Sequence, residues 1–177
     1  LSIAAGIPLV GLSEGLQTER VIRTMPTTPA QVGRGITGAV GLAVSDEDRA
    51  VANALLSAAG QVMWFDDERK IDAVTAVSGS GPAYVFYLVE ALAEAARKQG
   101  FDDEQAMQLA RATVTGAAAL LEAEKDMPAS QLRINVTSPK GTTAAALDVL
   151  MAPDGLQPLM DRAVDAARRR SEELGRA

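Results

Sequence analysis

The sequence predicts an α/β segment over residues 1–70 followed by an all-α domain over residues 71–177. Three observations predict it. Up to Phe65 the apolar segments are short and rich in β-branched residues, with one helix-like stretch among them. Strand–helix–strand alternation of that kind marks an α/β fold. From about Ile71 onward strand-like segments stop and long stretches of helical periodicity take over. Aromatics make up only 3% of the chain and alanine is abundant, a composition that favours close helix packing over a β-sandwich core.

The elements follow in order. The opening LSIAAGIPLV carries no initiator methionine and reads as an apolar strand already under way, as in a fragment or a chain whose first part was lost. Val21-Ile22-Arg23-Thr24-Met25, Ile36 to Val44 and Gln61 to Phe65 read as strands. Ser45 to Ala59 reads as a helix: Ser45 and Asp48 have the spacing of a capping box, acidic residues fill the first turn, and Gly60 suits the stop. GPAYVFYLVEALAEAARKQG runs from an early Pro to a Gly just past its end, the asymmetry expected of a helix. In DDEQAMQLARATVTGAAALLEAEK, Met107, Ala110, Val114, Ala117 and Leu121 share one face. TTAAALDVLM makes a shorter helix. Leu156 to Leu174 makes the last, with Leu156, Leu159, Met160, Ala163, Val164 and Ala167 as its apolar stripe.

One helix says more than its existence. Residues 83–89, AYVFYLV, are apolar around nearly two full turns, so every side of the helix needs a cover. Each buried Leu, Val or Phe contributes roughly 1.5–3 kcal/mol relative to exposure. A second copy of the chain in a two-fold dimer would provide the cover; a central position within one subunit is the alternative.

The composition excludes several function classes. With no cysteine and no histidine, disulfides, thiolate chemistry, Cys/His zinc sites, Ser-His-Asp triads and histidine acid–base catalysis are out. The formal net charge of −6 and the lack of a basic stripe argue against nucleic acid. The densest basic run, Arg168-Arg169-Arg170, is followed at once by Glu172 and Glu173 and reads as a solvated helix end. No apolar run is long enough for a membrane span and no leader pattern is visible, so a cytoplasmic protein without a metal is expected.

Three stretches suggest chemistry. Gly33-Arg34-Gly35-Ile36-Thr37-Gly38 is a literal G-x-G-x-x-G, but a dinucleotide fingerprint follows a strand, opens a helix and has an acid about 20 residues on. Here the following residues alternate like a strand, and twenty residues past Gly33 stands Asn53. AVSGSGPAY resembles a nucleophile elbow at Ser80, yet position 78 is Ser rather than Gly and no histidine is present to act as base. NVTSPKGTTAAALDVL crowds Thr137, Ser138, Thr142 and Thr143 around Pro139 and Gly141 just before a helix. Free amides and the helix dipole suit that place to a small anion, with simple N-capping as the plainer alternative.

At these residues a family resemblance enters. VTAVSGSGPAYVFYLVEALAEAA together with LRINVTSPKGTTAAALDVL closely resembles pyrroline-5-carboxylate reductase, and VIRTMPTTPAQVGRGITG resembles that family's strand and loop at the nicotinamide end of the cofactor groove. The resemblance runs over essentially the whole chain. It implies the last strands of a Rossmann-type NAD(P)-binding domain over residues 1–70, then a helical dimerisation and substrate-binding domain over residues 71–177. It further implies reduction of 1-pyrroline-5-carboxylate to L-proline with NADPH or NADH, by a homodimer that can assemble into a decamer. Carried over by position, Ser138, Gly141, Thr142 and Thr143 would hold the substrate carboxylate, with the Thr143 hydroxyl approaching the ring nitrogen as the catalytic group. Asn135 would lie near the cofactor ribose, Met25, Pro26, Thr27, Thr28 and Pro29 would border the nicotinamide, and Ser80 to Pro82 would shape the pocket. The chain departs from the family's usual pattern at Thr27, where Asn is usual, and at Lys140, where Gly is usual. Two other readings stay open: a dimerisation fragment without activity of its own, and a related hydroxyacid-type dehydrogenase with a lysine base, for which Lys70, Lys98, Lys125 and Lys140 give little sign.

Overall fold

A computed structural model describes residues 1–175. The sheet is built from the short runs rich in β-branched and other apolar residues. Val21–Met25 forms β1, Gly35–Leu42 forms β2 and Gly60–Phe65 forms β3, in the order β1-β2-β3. β1 and β2 are antiparallel, in register from Val21↔Leu42 to Met25↔Gly38. β2 and β3 are parallel, from Gly35↔Gly60 to Val40↔Phe65. The parallel pair needs a crossover, and α2 (Asp46–Ser57) supplies it.

β1 is buried along its whole length because both faces are covered. On one face Val21 and Met25 join Leu9, Leu12, Val40 and Ile71. These come from α1 (Leu9–Leu16), β2 and α3 (Arg69–Val74). On the other face Ile22 packs with Ala39 and Ala52, backed by Val44, Val62 and Trp64.

The expected opening strand reduces to a single parallel bridge, Ser2↔Arg23. The chain turns instead into α1 directly after Pro8; Gly11 and Gly15 weaken that helix's sequence signal. The strand expected to reach Val44 ends at Leu42, because Ala43 takes φ +46 and breaks the extended run. α2 carries the capping box expected of it, with Ser45 and Asp48 each accepting from the other's backbone amide.

After α3 the chain passes through a π-helical turn, Thr75–Gly79, into α4 (Gly81–Lys98). Then follow α5 (Asp103–Ala123), α6 (Ala129–Asn135), α7 (Thr142–Leu150) and α8 (Leu156–Leu174). α5 begins with a capping box between Asp102 and Gln105. α6 escaped the sequence reading because seven residues are too few to show a helical period.

By compactness the chain divides into two units. The first takes Leu1–Ala83 and the chain from Arg162 onward, the second Tyr84–Asp161. The first holds the sheet and both clusters described above. The second buries Ala93, Ala106 and Ala110, flanked by Val89, Ala96 and Met107, while Phe86 and Tyr87 on α4 are 61% and 70% exposed. Among the described residues no helix is long and apolar enough to cross a membrane.

Candidate functional site

The three glycines of GRGITG serve backbone conformation and packing. Gly33 takes φ +70 at the end of the 3₁₀ turn Thr28–Val32, the left-handed region open to glycine. A Cβ on Gly35 would stand 2.9 Å from Ala30 Cα and from Ala59 O. One on Gly38 would stand 2.9 Å from Val74 Cγ1, so this glycine lets α3 lie close on the sheet. Backbone geometry and close packing account for the motif, whose second and third glycines lie inside β2.

The Met25–Pro29 loop leaves β1 in the first unit. Met25 and Thr27 are buried, Pro26 and Pro29 half-buried, and Thr28 exposed. Thr27 Oγ1 accepts from Ile36 N at 3.1 Å and Thr27 O accepts from Ala30 N at 3.0 Å. Beside the loop, a Cβ on Gly79 would meet Met25 Cγ at 3.8 Å, an ordinary contact distance. Gly79 ends the π turn, which closes with Ser80 N donating to Thr75 O at 2.8 Å. Thr75 Oγ1 donates to Ile71 O and Ser78 Oγ to Val74 O. Ser80 thus lies between two helical segments rather than on a strand-to-helix elbow, and its surroundings are those of a helix interruption.

In the second unit, Asn135 ends α6, with its Oδ1 accepting from Gln131 Nε2 at 2.8 Å. Thr137 Oγ1 donates to Arg133 O at 2.6 Å. Ser138-Pro139-Lys140-Gly141 then forms a β-turn closed by Gly141 N donating to Ser138 O at 3.0 Å. Pro at the second position and φ +59 on Lys140 at the third are the marks of a type II turn. The left-handed third position explains why glycine suits the place of Lys140. A Cβ on Gly141 would collide with Ser138 Oγ, so the Ser138 hydroxyl lies against the bare Cα of Gly141. Gly141 is the N-cap of α7 and gives it no side-chain cap. The leading amides of Thr142 and Thr143 therefore open α7 with no capping side chain, unlike those of α2 and α5. Ser138 and Thr142 are exposed and Thr143 half-buried. Asn135, Ser138, Gly141, Thr142 and Thr143 thus fall within one short stretch of the second unit, while Met25–Pro29 and Ser80–Pro82 belong to the first.

A buried polar cluster in the first unit went unnoticed in the sequence. Arg23, 4% exposed in mid-β1, donates from Nη1 to Glu68 Oε1 at 2.7 Å, with Asp72 Oδ1 3.8 Å from Nη2. The same Glu68 oxygen accepts from Leu9 N at 2.7 Å, and Asp72 Oδ1 accepts from Ser171 Oγ at 2.7 Å. The two carboxylates facing the guanidinium thus also tie in Leu9 of α1 and Ser171 of α8, while the Arg23 Nε is buried without a partner. The available signal was a charged residue in mid-strand, flanked by Val21, Ile22 and Met25.

A β-α-β crossover on a sheet covered on both faces, leading into helices with open apolar sides, defines the class. It is the closing part of a Rossmann-type sheet joined to an all-α dimerisation domain. The chain belongs to the pyrroline-5-carboxylate reductase dimerisation family, whose sequence model matches residues 68–174. It is 47% identical to the pyrroline-5-carboxylate reductase of Pseudomonas aeruginosa over 176 residues, covering 98% of this chain and 64% of that protein. The solved structure of a pyrroline-5-carboxylate reductase from Coxiella burnetii matches with a TM-score of 0.91 at 38% identity, over 98% of this chain and 64% of that one. The Plasmodium falciparum pyrroline carboxylate reductase, solved with NADP bound, matches with a TM-score of 0.83 at 31% identity, over 98% of this chain and 66% of that one. The chain therefore spans a little under two thirds of the length of its relatives.

Proposed function

We propose that the protein reduces 1-pyrroline-5-carboxylate to L-proline by hydride transfer from NADPH or NADH, as a homodimer. One observation carries the reading: α7 opens behind the Ser138–Gly141 turn with no capping side chain, in a chain whose relatives bear that activity in their names. A carboxylate set against the leading amides of Thr142 and Thr143 satisfies donors that the fold leaves without a cap and gains from the helix dipole. Ser138 adds a hydroxyl donor, and Lys140 an exposed cation in the same turn. The Thr143 hydroxyl stands one residue into the helix, where it approaches the ring nitrogen of a substrate anchored by its carboxylate. Orientation of this kind is the main demand on a protein that reduces a cyclic imine, and neither histidine nor cysteine is needed for it.

The bound dinucleotide supplies the hydride. Met25, Pro26, Thr27, Thr28 and Pro29 fit its nicotinamide end: the loop is tied down from beneath and offers half-buried prolines beside an exposed threonine. By the family resemblance, Asn135 is assigned to the ribose and Ser80–Pro82 to the substrate pocket. The pyrophosphate end finds no match in GRGITG, since protein atoms already crowd the Cβ positions of Gly35 and Gly38. These 177 residues alone are accordingly read as inactive, with catalysis needing the complete nucleotide domain. A domain division at residue 70, a cytoplasmic location and assembly of dimers into a decamer belong to the same reading.

Thr143→Ala in the full-length protein tests the site. Loss of one hydrogen bond formed at the reacting centre is worth about 1.5–3 kcal/mol, so kcat/KM for pyrroline-5-carboxylate should fall by roughly 10- to 100-fold. Unchanged kinetics would remove Thr143 from the site.

A further inference from the structure

We propose that Thr27 is a positioning residue for the cofactor-facing loop, acting through the amide of Ile36 and not by touching the dinucleotide. The proposal rests on the reading of Met25–Pro29 given above. Thr27 is 5% exposed, and its hydroxyl oxygen takes the Ile36 N–H at 3.1 Å. Ile36 is the second residue of β2, so this bond ties the loop leaving β1 to the start of the neighbouring strand.

The backbone of Thr27 holds the other side of the loop. Its carbonyl accepts from Ala30 N at 3.0 Å and sets the 3₁₀ turn. Gly35 then lets Ala30 approach so closely that a Cβ would stand 2.9 Å from it. Exposed Thr28 and the half-buried Pro26 and Pro29 are thereby fixed before any ligand arrives, and a preorganised loop loses less freedom on binding. Replacing the hydroxyl by a methyl leaves the half-buried Ile36 N–H without its partner, an unfavourable state that the loop relieves by shifting.

The test compares Thr27→Val, which keeps the shape and loses the acceptor, with Thr27→Ser, which keeps the acceptor. In the full-length protein, hydrogen exchange at the Ile36 amide is followed alongside fluorescence titration with NADPH. Thr27→Val should lose protection at Ile36 and bind NADPH about tenfold more weakly, the lower end expected for an unsatisfied donor in a half-buried place. In turnover the KM for NADPH should rise more than kcat falls. Thr27→Ser should restore both protection and affinity. Wild-type NADPH affinity in a Thr27→Val protein that has lost Ile36 protection would overturn the proposal. So would weak binding by Thr27→Ser with Ile36 still protected, since the side chain would then act by contact. Should Thr27→Val fail to fold, the Ser variant decides by that same pair of readings. Absence of NADPH binding by the wild-type protein would overturn the reading of the loop along with the proposal, whereas normal wild-type binding with an indifferent Thr27→Val overturns the proposal alone.

Discussion

The two units bury their apolar residues on different terms. The sheet unit encloses Val21, Ile22, Met25, Val40 and Ile71, all branched or long side chains. The helical unit encloses alanines, Ala93, Ala106 and Ala110, and leaves Val85, Phe86, Tyr87, Leu88, Leu120, Leu121, Val149 and Leu150 largely open. Small residues bring α4 and α5 close together but bury little area, and burial is what stabilises. Open apolar faces of this extent mark interaction surfaces. The sheet unit thus builds a core of large apolar side chains from its own chain, although Val10, Val32, Val51 and Leu55 among others stay exposed, whereas the helical unit buries only alanines and leaves its larger apolar side chains for the proposed dimer to cover.

The sharpest way to break this contrast is to charge the open face. Phe86→Glu removes roughly 1.5–3 kcal/mol of apolar burial from each copy, and a two-fold interface loses it twice. The dimer dissociation constant should then rise by about 100-fold or more. Sedimentation or light scattering at micromolar concentration should give a dimer for the wild type and a monomer for the variant. A monomeric wild type would end the dimer reading and return α4 to a place within one subunit.

The next largest effect concerns the sheet unit. Arg23→Met leaves Glu68 and Asp72 facing an apolar side chain with no cation between them. Removing one member of a buried ion pair costs about 3–5 kcal/mol; with Glu68 and Asp72 only partly covered, the lower end of that range is expected. Chemical denaturation should show the loss, and Arg23→Lys should recover part of it, since a point charge replaces the two-sided fork. A stability within 1 kcal/mol of wild type, well under that range, would mean that the cluster is dispensable and that apolar packing alone closes this unit.

The contrast between units also explains what the sequence disclosed. β1 and β3 were legible from their β-branched and apolar runs, α2 from its capping box and α8 from its apolar stripe, and the all-round apolar run at 83–89 pointed to a cover from outside. α1 was hidden by Gly11 and Gly15, and α6 by its length. The Arg23 cluster was hidden because its partners come from positions 9, 68, 72 and 171, and no local pattern links residues so far apart. The substrate loop was legible as a turn before a helix. Its roles came from resemblance, because Ser138, Thr142 and Thr143 look the same in sequence whether they cap a helix or hold an anion. What the structure adds there is that Gly141, and no side chain, occupies the N-cap.

The smallest predicted effect separates capping from burial within the sheet unit. Asp48 receives hydrogen bonds from the Arg20 guanidinium and from the Ser45 amide and hydroxyl, and these, the arginine foremost, hold its carboxyl well below the usual carboxylate range. A depressed folded-state value means that the stabilisation is fully present above the unfolded carboxylate pKa of about 3.9 and is lost as pH falls through the lower folded value. Ser45→Ala removes the hydroxyl that accepts from Asp48 N and should cost about 1 kcal/mol near neutral pH. Arg20→Gln should cost less there, because an exposed pair is screened, yet it should make unfolding begin at a higher pH in an acid titration. If both variants unfold in acid as the wild type does, α2 is held by the Ile22, Ala39 and Ala52 cluster alone and its cap adds nothing to the closure of the unit.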